Sequence, residues 1–471
     1  MTSTRIEHTE AAGAAPLTVD DLRARIGGAV VTSADVDYDD ARHIFSRHLE
    51  RRPRVIVRVA DAADVATAIA FARGAGLDIA VRSGGHSAAA FSTLDDGVVI
   101  DVRGLDSIDL DVEGRTAWAG AGNTAGRLTE AVGEHGLAVG FGDTGSVGIA
   151  GITLGGGVGY LSRKHGLTID NLLAVEIVTA EGELVHADAD HHPDLFWALR
   201  GGGGNFGVVT RLQYRLHDLP QIVGGLLMLP ATAETLARFM ELALASPDEL
   251  GSIANVMPAL PMPFVPEEQH GQLVIMALMA YAGPPADAEP VLAPFRAIAP
   301  PIADLLTPMP YSGMFQPEDA DYHPVATSWT AYADSFDHDD AQLIVDTLTA
   351  RMEDPDVQLA VAQLRPLGGA ILRAAADSTA YGHRERALMV NTAAIVSGVD
   401  ALDGQKAWLR ELAEALSAGT TGAYLGFVVD PGQDRIHDIY PAGTYERLAE
   451  AKRTWDPDNV FHHNHTVPPA G

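Results

Sequence analysis

The sequence predicts an α+β chain in two large parts, on three observations. From residue 54 the apolar period switches repeatedly between 2 and 3.6, which marks short strands alternating with helices. Glycine gathers into clusters near strand ends within residues 36–217. After "HDLPQIVGG" the composition shifts toward proline-rich connections and longer helical patterns. At 471 residues, 47% apolar and 20% charged, the chain has length for two or three ordinary globular domains.

Residues 1–16 are expected to be disordered and belong to an N-terminal region, 1–35, that also carries a short helix. In "LTVDDLRARI", Thr18 is an N-cap with Asp21 three positions on. "RVIVRV" reads as a strand. "DAADVATAIAFARGAG" reads as a helix that starts near Asp61 and stops at Gly74 or Gly76. "DIAVRS" is a strand again, completing a β-α-β unit of parallel type. "GVVIDVRGLDSIDLDVEGRTAWAGAG" gives three short strands, and "NTAGRLTEAVGEHG" a helix. "LLAVEIVTAEGELVHA" is a hairpin about Glu181-Gly182, and "NFGVVTRLQYRLH" a strand. These make one unit over 36–217.

Residues 218–423 form the second unit. Helical patterns lie in "ATAETLARFMELALA" and "ADAEPVLAPFRAIA", and strands in "GQLVIMALMAYAG", "QLAVAQLRPLGGAI" and "ALMVNTAAIVSG". Together they predict a sheet backed by helices. The tail, 424–471, carries the helix "GTYERLAEAKRTW" and ends in "DPDNVFHHNHTVPPAG".

Composition narrows the function. The 32 basic and 63 acidic residues leave a formal charge of −31, which repels nucleic acid and anionic membranes. Cysteine is absent, which excludes disulfides, thiolate metal sites and cysteine nucleophiles. The N-terminus shows no apolar h-region or twin arginine, and no 18-residue uncharged apolar run occurs, so a soluble cytoplasmic protein is the expectation. No metal is expected. "HHNH" (462–465) and "DADHH" (188–192) lack the spacing of a zincin or a finger. There is no GxSxG elbow and no GxxxxGK[ST] loop.

The glycine clusters carry the positive signal. They are "VRSGGHSAAAF" (81–91), "GAGNTAG" (120–126), "GDTGSVGIAGITLGGGVGY" (142–160) and "RGGGGNFGVV" (200–209). Such clusters serve positive φ or close approach of backbone N–H groups to a ligand, and several in one domain favour a large ligand lying along the backbone. "GAGNTAG" is spaced GxGxxxG rather than GxGxxG, and Asp143, the acid at the expected distance, sits in another glycine loop, so a Rossmann site is not supported. His86 is either a turn histidine satisfied by a carbonyl, or an imidazole offered to a flat ligand lying on Gly84 and Gly85.

"RSGGHS", "VGIAGITLGGGVGYLSRKHGLTIDNLLAVEIVTAEG", "DLFWALRGGGGNFGVVT" and "YERLAEAKRTWDPDNVFHHNHTVPP" together resemble the berberine bridge enzyme-like flavoproteins of the vanillyl-alcohol-oxidase superfamily, in particular the 6-hydroxynicotine-oxidase-like branch. The resemblance runs from about residue 36 to the end. It implies a two-part FAD-binding domain of that superfamily's type plus a substrate domain with an antiparallel sheet backed by helices. It also implies FAD attached covalently through His86. Arg82, Ser83, Gly84, Gly85, His86 and Ser87 would wrap the cofactor. So would the stretch of Val147, Gly148, Gly151, Ile152, Gly155, Gly156, Gly157, Gly159 and Tyr160. Gly207, Val208, Val209 and Asn464 would close the pocket from the other side. Thr144 stands where many relatives carry a second flavin-linking cysteine, so a single link, or a noncovalent FAD, is what remains. Val147 stands at the position that admits oxygen.

The glutamate that plant relatives use as base corresponds to Ala376. A tyrosine used by other members corresponds to Tyr424 in a strand reading "YLGF", and Arg365 in "LRPLGG" is the cation expected to lower its pKa. The reading is an FAD-dependent oxidase. It would take hydride from a C–H next to an alcohol or amine of a small alcohol, sugar or alkaloid-like substrate, and reduce oxygen to hydrogen peroxide. A dehydrogenase with another acceptor and a noncatalytic flavin-binding protein remain as alternatives.

Overall fold

The computed structural model describes residues 17–315, 322–430 and 432–471. The expectation of disorder over 1–16 lies outside the described residues. Helix α1 (Val19–Arg25) opens on a reciprocal capping box: the Asp21 amide donates to the Thr18 hydroxyl at 3.1 Å, and the Thr18 amide donates to the Asp21 carboxylate at 3.0 Å. Then come β1 (Ala29–Val31), α2 (Tyr38–Arg42), β2 (Val55–Arg58), α3 (Ala62–Ala75), β3 (Ile79–Arg82) and β4 (Val98–Asp101). Helix α3 stops at Gly76, whose φ of +64° a side chain would oppose. The sheet order is β1-β2-β4-β3, with β2 and β3 both parallel to β4. The β-α-β unit is therefore split: its two strands are neighbours in sequence, but β4 lies between them.

The second layer holds β5 (Ile108–Asp111), β6 (Thr116–Gly120), α4 (Ala125–Gly133), β7 (Leu137–Ala138), α5 (Ile149–Leu154), α6 (Ser162–His165), β8 (Leu172–Val178), β9 (Leu184–Asp188), α7 (Pro193–Leu199) and β10 (Val208–Arg215). Its five strands run in the order β5-β6-β10-β8-β9, all antiparallel. The three strands that the sequence places in series thus divide, β4 to one sheet and β5 and β6 to the other. A core containing Val55, Phe71, Ile100, Leu128, Val175 and Phe206 spans this region.

Next come β11 (His217–Asp218), β12 (Ile222–Pro230), α8 (Ala233–Ala245), β13 (Leu250–Pro258), β14 (Leu273–Tyr281), α9 (Ala288–Arg296), β15 (Ala303–Asp304), β16 (Thr307–Met309), β17 (Val325–Ala333), α10 (His338–Arg351), β18 (Val357–Pro366), α11 (Ala370–Arg373), β19 (Leu388–Val396) and α12 (Leu402–Leu416). An antiparallel sheet runs β15-β12-β14-β13-β18-β19-β17, with β16 also on β12, and α8, α10 and α12 pack against it. Strands β12, β13 and β17 have no counterpart in the sequence reading. β12 carries Gly224 and Gly225, and β13 buries Ser252 and Asn255 among its apolar residues, so neither shows clean periodicity.

The chain finishes with α13 (Ile436–Ile439) and α14 (Ala442–Trp455). Leu448, Phe461 and Val467 enter the first core, so the tail returns to the glycine-rich unit. Among the described residues, no helix is long and apolar enough to cross a membrane.

Candidate active site

Two glycine loops meet at His86. The imidazole Nε2 lies 2.8 Å from the Ser146 hydroxyl, and the ring stacks on Phe45 with centroids 4.5 Å apart. Gly84 and Gly148 face each other so closely that a Cβ on Gly84 would sit 2.2 Å from the Gly148 nitrogen. Gly85 has φ +74°. The first glycine of the pair is thus required by backbone packing and the second by a left-handed turn. Around this junction Ser83, Gly84, His86, Ser87 and Asp143–Val147 are half-exposed, and Gly151 on the first turn of α5 is exposed.

The second feature lies where the 142–160 loop meets the large sheet. Tyr424 is 4% exposed, and its hydroxyl accepts a hydrogen bond from the Gly157 amide at 3.1 Å. Arg365, also 4% exposed, donates from Nη2 to Asp143 Oδ2 at 2.7 Å and from Nε to Gln363 at 2.8 Å, and its guanidinium lies over the Phe427 ring at 4.9 Å. Burial raises the Tyr424 pKa. The Gly157 amide and the Arg365 charge pull it down, and Asp143 pushes it up. The cation therefore acts in the expected direction, but burial outweighs it and Asp143 neutralises part of it. Tyr332 and Tyr381 share a hydrogen bond of 2.7 Å beside this group, and burial raises both.

Several expected contacts fall elsewhere. Arg82 is 1% exposed, and its guanidinium donates to the main-chain carbonyls of Ala41, Arg42, His43 and Ser92. These bonds brace the loop beneath His86. Burial lowers the Arg82 pKa to about 10. Val208 and Val209 are core residues of β10, and a Cβ on Gly207 would strike the Val178 carbonyl at 2.5 Å, so these three close a sheet rather than a pocket. Gly156, Gly157 and Gly159 are backed by Tyr381, Thr168 and the Phe141 carbonyl, and Gly155 by Leu425. Tyr160 is buried at the seam with Ile253. Tyr424 is not on a strand: Leu425–Phe427 is a single 3-10 turn, closed by the Phe427 amide on the Tyr424 carbonyl at 2.9 Å. Asn464 donates to the Gly204 carbonyl at 3.1 Å, tying the tail to the fourth glycine cluster.

A family profile described as "FAD binding domain" matches residues 53–188, and one described as "Berberine and berberine like" matches 425–468. (R)-6-Hydroxynicotine oxidase of Paenarthrobacter nicotinovorans is 30% identical over 95% of this chain and 98% of its own length. The chain belongs to the berberine bridge enzyme-like family of FAD-linked oxidoreductases. The crystal structure of 6-hydroxy-D-nicotine oxidase from Arthrobacter nicotinovorans superposes with a TM-score of 0.83 at 28% identity, covering 94% of this chain and 98% of that one. A xylooligosaccharide oxidase from Myceliophthora thermophila C1, solved with xylobiose, shares the fold at TM-score 0.82 and 22% identity, over 96% and 99% of the two chains.

The chain is thus an enzyme with the FAD-binding fold of this family. Its residues fit a flavin nucleotide. Exposed Gly151 and Gly204 have nothing within 4 Å of an added Cβ, and the half-exposed loops joined by His86 and Ser146 offer backbone and hydroxyl groups. Sequence reasoning missed Asp143 as a partner of Arg365, and it missed Gln363, Tyr332 and Tyr381.

Proposed function

We propose that this family member is an oxidase of small alcohols, sugars or amines, carrying FAD through His86 alone. The carrying observation is the cluster of Tyr424, Arg365 and Asp143 at the seam between the glycine loop and the large sheet. The loops Ser83–Ser87 and Thr144–Val147, with Gly151, Ile152 and Asn464, would hold the cofactor. Bound there, FAD would supply the hydride acceptor and the two-electron route to oxygen.

The protein's own residues handle the proton. The Gly157 amide donates into the Tyr424 oxygen and so offsets part of the burial that disfavours the phenolate. Arg365 adds positive charge nearby, and Asp143 fixes the guanidinium so that it does not wander with the substrate. Tyr424 takes the O–H or N–H proton of the substrate while the adjacent C–H leaves as hydride. One substrate then loses a hydride and a proton, and oxygen gains both as hydrogen peroxide. The buried ring of Tyr381 and the half-buried ring of Phe427 beside Tyr424 limit access of water to this exchange. The oxidase names of the relatives support the reaction class.

Acid precipitation of the purified protein tests the link. Flavin is expected to stay with the pellet, and in His86→Ala it is expected in the supernatant. Stopped-flow reoxidation tests the acceptor: a reduced enzyme that air reoxidises slowly is a dehydrogenase and refutes the oxidase reading.

A further inference from the structure

The edge strand β9 alternates its residues: Val185 and Ala187 point into the core, and His186 and Asp188 face outward together. The turn that follows brings His191 back over the same carboxylate. His186 Nε2 lies 2.9 Å from Asp188 Oδ2, and His191 Nδ1 bridges both carboxylate oxygens, 2.9 Å from Oδ1 and 3.0 Å from Oδ2. These three donor atoms all fall within 4.8 Å of one another. The other carboxylate oxygen, Oδ1, is held by the amides of Asp190 at 2.8 Å and His191 at 2.6 Å. The carboxylate is therefore oriented by main chain and does not depend on the imidazoles for its position.

We propose that His186, Asp188 and His191 bind a divalent transition-metal ion of the zinc, nickel or copper class. Two imidazoles and one carboxylate form a donor set that such ions prefer, while magnesium and calcium prefer oxygen-only shells. Bonds of 2.0–2.2 Å in a tetrahedron separate donor atoms by about 3.3–3.6 Å. The present 2.9–3.0 Å must open by about half an ångström. The histidines are free to allow it, since their side chains are 43% and 45% exposed. The two ring protons now aimed at Asp188 move to the other ring nitrogens by tautomerisation or leave to solvent, so each imidazole binds as a neutral ligand. The Asp190 and His191 amides on Oδ1 supply the outer hydrogen bonds that such a carboxylate needs. Three protein ligands leave at least one position for water. A net charge of −31 concentrates cations at the surface.

The spacing H-x-D-x-x-H is not a zincin or finger pattern, and His186 lies outside the "DADHH" run. Only the strand's alternation and the returning turn bring the three together. A bound ion clamps this edge strand to the start of α7, whose far end leads into the 200–204 glycine loop.

The test is isothermal titration of the untagged, flavin-loaded protein after chelator treatment, with Zn²⁺ and Ni²⁺ as probes and Mg²⁺ and Ca²⁺ as controls. One equivalent of Zn²⁺ is expected to bind, with His186→Ala and His191→Ala each weakening it at least tenfold and the controls silent. Cu²⁺ is expected to quench part of the tryptophan emission, and Trp118→Phe to remove that part, because Trp118 lies 5.9 Å from the His186 ring. Absence of saturable binding, or binding that survives in the His186→Ala/His191→Ala double variant, overturns the proposal. A quench undiminished in Trp118→Phe does so as well, and needs no histidine variant to fold.

Discussion

Lys452→Met tests how the tail is anchored. Lys452 and Asp456 are both 0% exposed, and Nζ lies 2.7 Å from the carboxylate. The ammonium also donates to the carbonyls of Asn205 at 2.7 Å and Phe461 at 2.8 Å, so all three of its hydrogens are used. Methionine fills a similar volume but leaves the Asp456 charge buried and two carbonyls without a donor. Asp456 keeps only the amides of Val460 and Phe461, at 2.8 and 2.9 Å. Breaking a buried pair from one side costs about 3–5 kcal/mol. For a unit of roughly 200 residues, at 2–4 °C per kcal/mol, that is a fall in melting temperature of about 6–20 °C. Differential scanning fluorimetry measures it. Asp456→Asn in the same background removes the stranded charge and is expected to recover part of the loss. A single variant that melts within about 3 °C of the parent would refute the reasoning, because it would mean that the carboxylate is not isolated by the loss of Lys452. Since Asn205 also bonds the Gly202 and His465 carbonyls, the same variant is expected to retain less flavin.

Further expectations follow from the site and its supports. Gly84→Ala forces the two glycine loops apart, because its Cβ meets the Gly148 nitrogen at 2.2 Å; purified variant is expected to show a lower 450 nm to 280 nm absorbance ratio, and an unchanged ratio contradicts the packing argument. Tyr424→Phe is expected to lower kcat by about 10²–10⁴ with flavin still bound, measured by peroxide release. Arg365→Leu removes the charge that pulls the Tyr424 pKa down, so the ascending limb of kcat against pH moves up, and Asp143→Asn moves it down; limbs that stay put exclude Tyr424 as the base. Burial lowers the His465 pKa from 6.5 to about 4. In that window the unfolded chain holds a proton that the folded one lacks, so stability falls as pH drops from 6.5 toward 4, by about 1.4 kcal/mol per pH unit. Melting curves of His465→Gln are expected to be flatter over that range, and equal slopes refute the assignment.

Much of the local structure was legible in the chain. Thr18 and Asp21 cap α1, Asp61 opens α3, Gly76 closes it, and Gly182 turns the β8–β9 hairpin, because each acts on neighbours within a few residues. The family was legible too, since its glycine-rich motifs are contiguous runs. Less legible were the strands whose periodicity is broken by buried polar residues or glycines, as in β12 and β13.

What the sequence determined by itself was local: where helices start and stop, where the chain turns, and which histidine ends the first glycine pair. Tertiary closure decided which groups meet. Asp143 and Arg365 are 222 positions apart, and Gly157 and Tyr424 are 267 apart, so no pattern in the chain announces either contact. A glycine carries the same letter whether it serves a left-handed turn, like Gly85, or a second backbone, like Gly84. Arginine likewise looks the same whether it brace carbonyls, like Arg82, or faces a carboxylate, like Arg365. The physical reason is that periodicity and capping report short-range geometry, whereas burial, charge partner and pKa are set by whichever distant segment packs alongside.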